Sequence, residues 1–282
     1  MTKELETMIM NTGDLPTMPI VATKVMQLIE SENVSSEEIA KIVASDPAVA
    51  ARVLKISNSS LYGCQRQIQS LSHAVMVLGF KTLKSLVVAA SLKLVYKPYG
   101  LTERMLWEHS FGAGLAARII ARETRQVNEE EAFLGGLFHD IGKNIMNYLD
   151  AHQFQAAMQI CYNDEVSFAE AERQVYSYTH SDVGGLVVKK WNFPDLLMNA
   201  VLKHHTFDFN EDEDPYQISL TCIVGLANLF CHKAGIGERK PDEDLDLLQS
   251  FPAQILALDK KLLDSMLERF ITAFEQDKFL FK

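Results

Sequence analysis

The chain has 282 residues, 48% of them hydrophobic and 23% charged, with a formal net charge of −10. This length supports a sizeable core in one large or two smaller domains, and the balance of apolar and charged residues excludes a disordered or low-complexity chain. The acidity works against nucleic-acid binding, which needs a concentrated basic face; the nearest basic grouping, Arg66, Lys81, Lys84 and Lys93, is dispersed among apolar residues.

The opening residues, MTKELETMIM, carry acids where a secretory signal would have a basic flank and an apolar core. Ser35 with Glu38 has capping-box spacing ahead of EEIAKIVA, and Asp46 with Pro47 sets an N-cap and a proline at N1 before AVAARVLKIS. Two short helices are expected there. The apolar run SLVVAASLKLVY carries polar residues and falls short of the roughly 18–20 apolar residues that cross a bilayer. With the N-terminus, this points to a cytoplasmic protein without membrane insertion.

YKPYG, residues 96–100, is the best internal break, because proline and glycine interrupt two apolar helical segments. It divides the chain into an N-terminal helical part, residues 1–97, and a remainder, residues 98–282. Beyond the break, Asn128 with Glu131 caps one helix, Thr179 with Asp182 caps another, and NFP at 192–194 closes the latter. The acidic segments 207–216 and 235–246 read as exposed loops. Strand-type alternation and fixed-period repeats are both missing, so the expected class is all-α. Cys64, Cys161, Cys222 and Cys231 form no C-x-x-C pair and read as free, buried thiols.

The stretch GLFHDIGKN, residues 136–144, lies within a segment of helical periodicity. Phe133, Leu137, Ile141 and Ile145 make an apolar stripe, with Gly135, Gly136, His139, Gly142 and Lys143 on the other side. Each interior glycine costs roughly 1 kcal/mol relative to alanine, so something must approach this face closely, either a neighbouring helix or a ligand. Consecutive helical residues point about 100° apart, so His139 and Asp140 reach one ion only through a local bend or with ligands from other elements. Gly142 suits such a bend.

Four further histidines lie on or beside apolar helical segments. His109 shares a face with Ala113, Ala116 and Ile120, which suits close packing as well as ligation. His180 falls at the N-terminus of the Thr179-capped helix, where the dipole favours the neutral, metal-binding imidazole. His204 and His205 end a helix, extending the rows Leu196–Ala200 and Leu197–Val201, where a protonated ring would equally complement the dipole.

Taken together, these residues resemble the HD superfamily of metal-dependent phosphohydrolases: His109 matches the leading histidine, and His139 with Asp140 the HD pair. His180, His204, His205 and the HDIGK segment with Lys143 are similar to the branch that degrades cyclic dinucleotides. Two features depart from it. Asn228 stands where the terminal aspartate belongs, and TFDFNEDEDPY replaces a Gly-Tyr-Pro signature. A nearer resemblance is to the HDOD domain, a bacterial signalling relative. Its motifs run in order through LPTMPIVATKVMQLI, SDPAVAARVLKISNSSLYG, SLSHAVMVLGFKTLKSLVV, WEHSFGAGLAARIIA, FLGGLFHDIGKNIM and HSDVGGLVVKKWNFP, over roughly residues 13–230.

The resemblance implies an HD-like helical bundle with an additional N-terminal helical subdomain, acting as a signal-transduction or regulatory output module. It implies metal ligation by His109, His139, Asp140, His180, His204 and His205, with iron, manganese or zinc as the divalent ion. Asn228 removes one negative charge from that set. Were the site active, Asp140 and Lys143 would serve catalysis in a phosphohydrolase acting on a nucleotide or cyclic dinucleotide. The expected partner is a signalling protein or a small nucleotide ligand, held at the N-terminal helices or in the groove between the halves.

Overall fold

A computed structural model describes residues 3–11, 15–29, 35–59, 62, 67–96 and 100–277. Among these there are helices and no strands. Five helices precede the central break: α1 (Lys3–Asn11), α2 (Ile20–Ile29), α3 (Ser36–Ala44), α4 (Pro47–Ser57) and α5 (Leu71–Leu92). Of the segments singled out in the sequence, 97–99 of YKPYG, 60, 61 and 63 of NSSLYG, and Cys64 and Arg66 lie outside the described residues.

The caps form where the sequence placed them. Ser35 and Glu38 make a reciprocal capping box on α3, and the Asp46 carboxylate accepts from the backbone N–H groups of Ala48 and Val49 at the start of α4. In α5 the helix is broken at Gly79, whose φ of 82° is open to glycine at little cost. Beyond the break, Leu83 and Leu86–Ala90 pack into the core against α2, α3 and α4. At 22 residues, α5 is the one helix among those described that is long and apolar enough to cross a membrane, and more than half of its apolar window is buried inside the protein. The apolar stretch is longer than SLVVAASLKLVY alone, because it continues back through the kink.

The second half comprises α6 (Leu101–Thr124), α7 (Glu129–Phe138), α8 (Ile141–Leu149), α9 (Ala151–Asn163), α10 (Phe168–Val175), α11 (His180–Lys190), α12 (Asp195–Lys203), α13 (Pro215–Ala234), α14 (Phe251–Ile255) and α15 (Lys260–Gln276). The long α6 is central, packed on α7, α13 and α15, while α8 lies on α11 and α11 on α12. Cys222 and Cys231 are buried free thiols, and Cys161 is a half-buried one.

The two halves meet through α5 on α7 and α1 on α11. At the first seam, Arg118 of α6 pairs with Glu130 of α7 at 3.0 Å, Thr82 of α5 donates to the same carboxylate at 3.1 Å, and the guanidinium lies over the Tyr62 ring. At the second, Lys189 pairs with Glu6, and Lys190 donates to the Ile9 carbonyl at 2.9 Å.

Candidate metal centre

Residues 136–144 do not form one continuous helix. The α7 helix, capped by Asn128, stops at Phe138, and α8 begins at Ile141, so His139 and Asp140 occupy the bend between them. The bend that co-ligation requires therefore falls on the pair itself rather than at Gly142. Glycines bring the neighbours in: a Cβ on Gly136 would collide with the Ala113 carbonyl of α6, and one on Gly142 with the His180 carbonyl of α11. The first contact sets α7 beside the helix bearing His109, and the second sets α8 beside the helix bearing His180.

The Thr179–Asp182 capping box fixes the start of α11, with His180 as its first residue. His204 is the C-cap of α12, and its backbone carbonyl lies 2.9 Å from where a Cβ on Gly225 of α13 would be. Asn228 follows on the same helix. Seven of the eight residues singled out for the site, all but His205, are thus buried side chains brought together from different helices.

Asp140 lies at the centre. Its Oδ2 is 3.5 Å from His109 Nε2, 3.4 Å from His139 Nε2 and 2.7 Å from Lys143 Nζ. Its Oδ1 is 3.2 Å from His180 Nε2 and 3.8 Å from His204 Nε2, and His205 Nε2 is 3.1 Å from His180 Nε2. Two overlapping ligand groups result, one of Asp140, His180, His204 and His205, the other of His109, His139 and Asp140. Both contain histidine and aspartate in a set suited to chelating a divalent metal.

The outer ring nitrogens show which edge faces inward. His139 Nδ1 donates to the Gly136 carbonyl at 2.7 Å, and His204 Nδ1 to the Val201 carbonyl at 2.6 Å. Each neutral ring has one N–H, so these bonds leave bare Nε2 lone pairs turned toward the Asp140 carboxylate. His139 Nε2, His204 Nε2 and Asp140 Oδ1 accordingly have no hydrogen-bond partner despite full burial. Lone pairs converging with no donor between them repel one another; a cation among them removes the conflict, so the residues present fit a metal.

Electrostatics favour the ligating forms. Burial, reinforced by neighbouring histidines, pushes His204 well below the ordinary imidazole range, and burial lowers His109 to about 4 against the pull of Asp140. Desolvation by the surrounding protein and then His204 and His180 lower His205 too, although its outer surface stays exposed to solvent, which weakens the effect. Burial would raise Asp140, but His139, Lys143 and His180 outweigh it and hold the carboxyl well below its usual range. Lys143 is lowered by burial and raised more by Asp140, so it stays charged. His180 is the exception among the histidines: burial lowers it, yet Glu172 carries it above the ordinary value.

Asn228 does not face the Asp140 carboxylate as a charged partner would. Its Oδ1 lies 2.9 Å from His109 Nε2, closing that edge of the cluster with a hydrogen bond. Sequence reasoning missed three residues here. Glu172 of α10, fully buried, accepts from His180 Nδ1 at 2.7 Å and from the His180 backbone N–H at 2.9 Å. Its sequence signal was weak: Glu172 follows the Ser167–Glu170 capping box on an amphipathic helix, where a glutamate ordinarily reads as solvated. His232 and Glu238, whose atoms pair at 3.0 Å, lie beside His109. Segment 235–246 is therefore not simply an exposed loop, since Ile236 is buried and Gly237 presses on His109.

A cavity of about 580 Å³ opens beside the cluster, and Asp140, Lys143, His205, Phe154, Phe168 and Glu238 are among the residues that line it.

The chain matches the HDOD domain over residues 15–207. It is 21% identical over 261 residues to an uncharacterized protein of Treponema pallidum (strain Nichols); this covers 92% of the chain but 51% of that protein, so the chain spans about half the length of the curated relative it matches. Among solved structures it resembles an HDOD domain protein of unknown function from Geobacter sulfurreducens, with a TM-score of 0.80 and 24% identity, covering 97% of each chain. A protein of Shewanella amazonensis SB2B provisionally assigned as a phosphohydrolase superposes with a TM-score of 0.75 at 20% identity, covering 99% of this chain and 98% of its own. At such identities the structural likeness speaks for the fold. The fold, the ordered motifs and the domain match across more than half of the sequence agree: the chain belongs to the HDOD domain family.

Proposed function

We propose that the protein is a signal-transduction or regulatory output module of HDOD type whose HD cluster holds a divalent transition metal without the full hydrolytic set. Residues 98–282 carry the cluster, and residues 1–97 form an N-terminal helical subdomain that meets a signalling partner. The observation that supports the metal is the convergence of unpartnered, buried lone pairs from His139, Asp140 and His204. Asp140, His180, His204 and His205 would hold the ion, and this nitrogen-rich set favours iron, manganese or zinc over magnesium or calcium. When bound, such an ion can polarise a phosphoryl oxygen and lower the pKa of a water.

What argues against hydrolysis is the other group. His109 Nε2 is hydrogen-bonded by the neutral Asn228 where the resemblance to the hydrolases calls for an aspartate, so the group of His109, His139 and Asp140 has one negative charge fewer with which to hold a second cation. Lys143 Nζ is tied to Asp140 at 2.7 Å, which positions the carboxylate and leaves the ammonium less free for a substrate anion. The neighbouring cavity offers both aromatic wall and cationic edge, and this supports a small nucleotide as a regulatory ligand.

The test is metal content of protein purified without added metal, followed by phosphodiesterase assays on cyclic dinucleotides and nucleotides. Stoichiometric metal without turnover is expected. Turnover that disappears in His139→Ala would establish the hydrolase instead, and absence of metal under iron-, manganese- and zinc-replete conditions would make the histidines core residues.

A further inference from the structure

The end of α13 turns back on the site through two left-handed glycines. Gly235, at φ 69°, caps the helix, and Gly237, at φ 70°, redirects the chain. Gly237 is packed so tightly that a Cβ there would come within 2.5 Å of His109 Cβ and 2.6 Å of the Met105 carbonyl. No other residue fits this approach, and its effect is to carry Glu238 over the outer edge of His109. Glu238 Oε1 then lies 3.0 Å from His232 Nδ1 and 3.8 Å from His109 Nδ1, with the Ile236 carbonyl 3.1 Å from the same His109 nitrogen.

Both His109 nitrogens face oxygen acceptors, Asn228 Oδ1 on the inner side and Ile236 O with Glu238 on the outer. A neutral ring has one N–H. When that hydrogen is donated to Asn228, a lone pair on Nδ1 confronts the carbonyl and the carboxylate, and His232, whose Nδ1–H donates to Glu238 at 3.0 Å until a metal replaces the proton, supplies a third ligand. These atoms form a potential ligand group separate from Asp140. The His232 and Glu238 side chains keep 33% and 25% of their exposure, so an ion can enter from the cavity, which both residues line.

We propose that His109 Nδ1, His232 and Glu238, with the Ile236 carbonyl, form a second divalent-metal site beside the cavity, outside the HD cluster. Two imidazoles and a carboxylate are the donor set of a transition metal such as zinc or manganese. Asn228 is what frees the outer nitrogen: by accepting the inner N–H, it turns His109 from a ligand of the cluster into a ligand of the strap formed by residues 235–238. His232, Ile236 and Glu238 all lie beyond the matched HDOD residues, so this site is a property of the C-terminal segment.

The experiment is equilibrium dialysis of the chelator-stripped full chain against Zn²⁺ and, separately, Mn²⁺, with bound metal counted by mass spectrometry and folding checked by circular dichroism. Wild type is expected to bind two equivalents, Glu238→Gln and His232→Gln one each, His204→Ala one, and His204→Ala with Glu238→Gln none. If Glu238→Gln and His232→Gln, folded, bind as much as wild type, the strap site does not exist. A single wild-type equivalent lost in His204→Ala and retained in both strap variants overturns the strap while leaving the cluster. The reverse pattern supports the strap and removes the cluster.

Discussion

Gly142→Ala tests whether glycine is needed where α8 meets α11. The added methyl has nowhere to go, because the obstruction is the His180 backbone carbonyl rather than the end of a flexible side chain. Relief requires α8 to move from α11, which would also pull Asp140 from His180, now 3.2 Å away. Overpacking of this kind costs about 1–3 kcal/mol. At roughly 2–4 °C per kcal/mol for a chain of this size, the drop in Tm is about 2–12 °C. Gly185→Ala is the matched control: its Cβ would sit 3.5 Å from Leu202 Cβ, an ordinary contact, and it gains up to about 1 kcal/mol of helix propensity. Thermal melts of the two variants after metal removal decide the matter, and Gly142→Ala melting at or above Gly185→Ala would refute the close-approach argument.

Other measurements probe the groups around the cluster. Glu172→Gln should weaken metal binding about 10–100-fold in competition with a chelating dye, since His180 loses its orienting carboxylate; unchanged affinity would reduce Glu172 to packing. Asp140→Asn should cost about 3–5 kcal/mol in the metal-free protein by stranding buried Lys143, with much of the loss restored in Asp140→Asn with Lys143→Met. A double variant no more stable in urea than the single one would contradict this. Metal-free stability should fall from pH 7 to 5. His109, His204 and His205 have folded pKa values below the unfolded value near 6.5, so the unfolded chain takes up their protons first, and His109 alone contributes roughly 2 kcal/mol of that loss. His180, raised in the fold, opposes this with stability that is present below about 6.5 and lost above its folded value. A urea midpoint higher at pH 5 than at pH 7 would show that His180 dominates.

The helix starts at Ser35, Asp46, Asn128 and Thr179 were legible because a cap is written in adjacent residues. The distributed histidines could be gathered only through their resemblance to a known pattern, and the structure places His109, His139, Asp140, His180, His204 and Asn228 around one centre, with His205 at its edge. The break between α7 and α8 was not legible: Phe133, Leu137, Ile141 and Ile145 keep helical spacing straight across it, and all four are fully buried. Glu172 and Glu238 escaped because an acidic residue looks the same in sequence whether it faces water or a buried imidazole. Only the chain path, set at Gly235 and Gly237 for Glu238, distinguishes the two.

The seam of Arg118, Glu130 and Thr82 bears on how the halves communicate. A greasy contact lets helices slide by small amounts at graded cost, but here α5 cannot shift across α7 without stripping the Glu130 carboxylate of a partner in a dry setting. A shift of α5 on α7 therefore costs a directional bond and not only a little apolar contact. Glu130 and His139 stand on and at the end of the same ten-residue helix, so a displacement of α7 that broke the seam would be carried to the cluster.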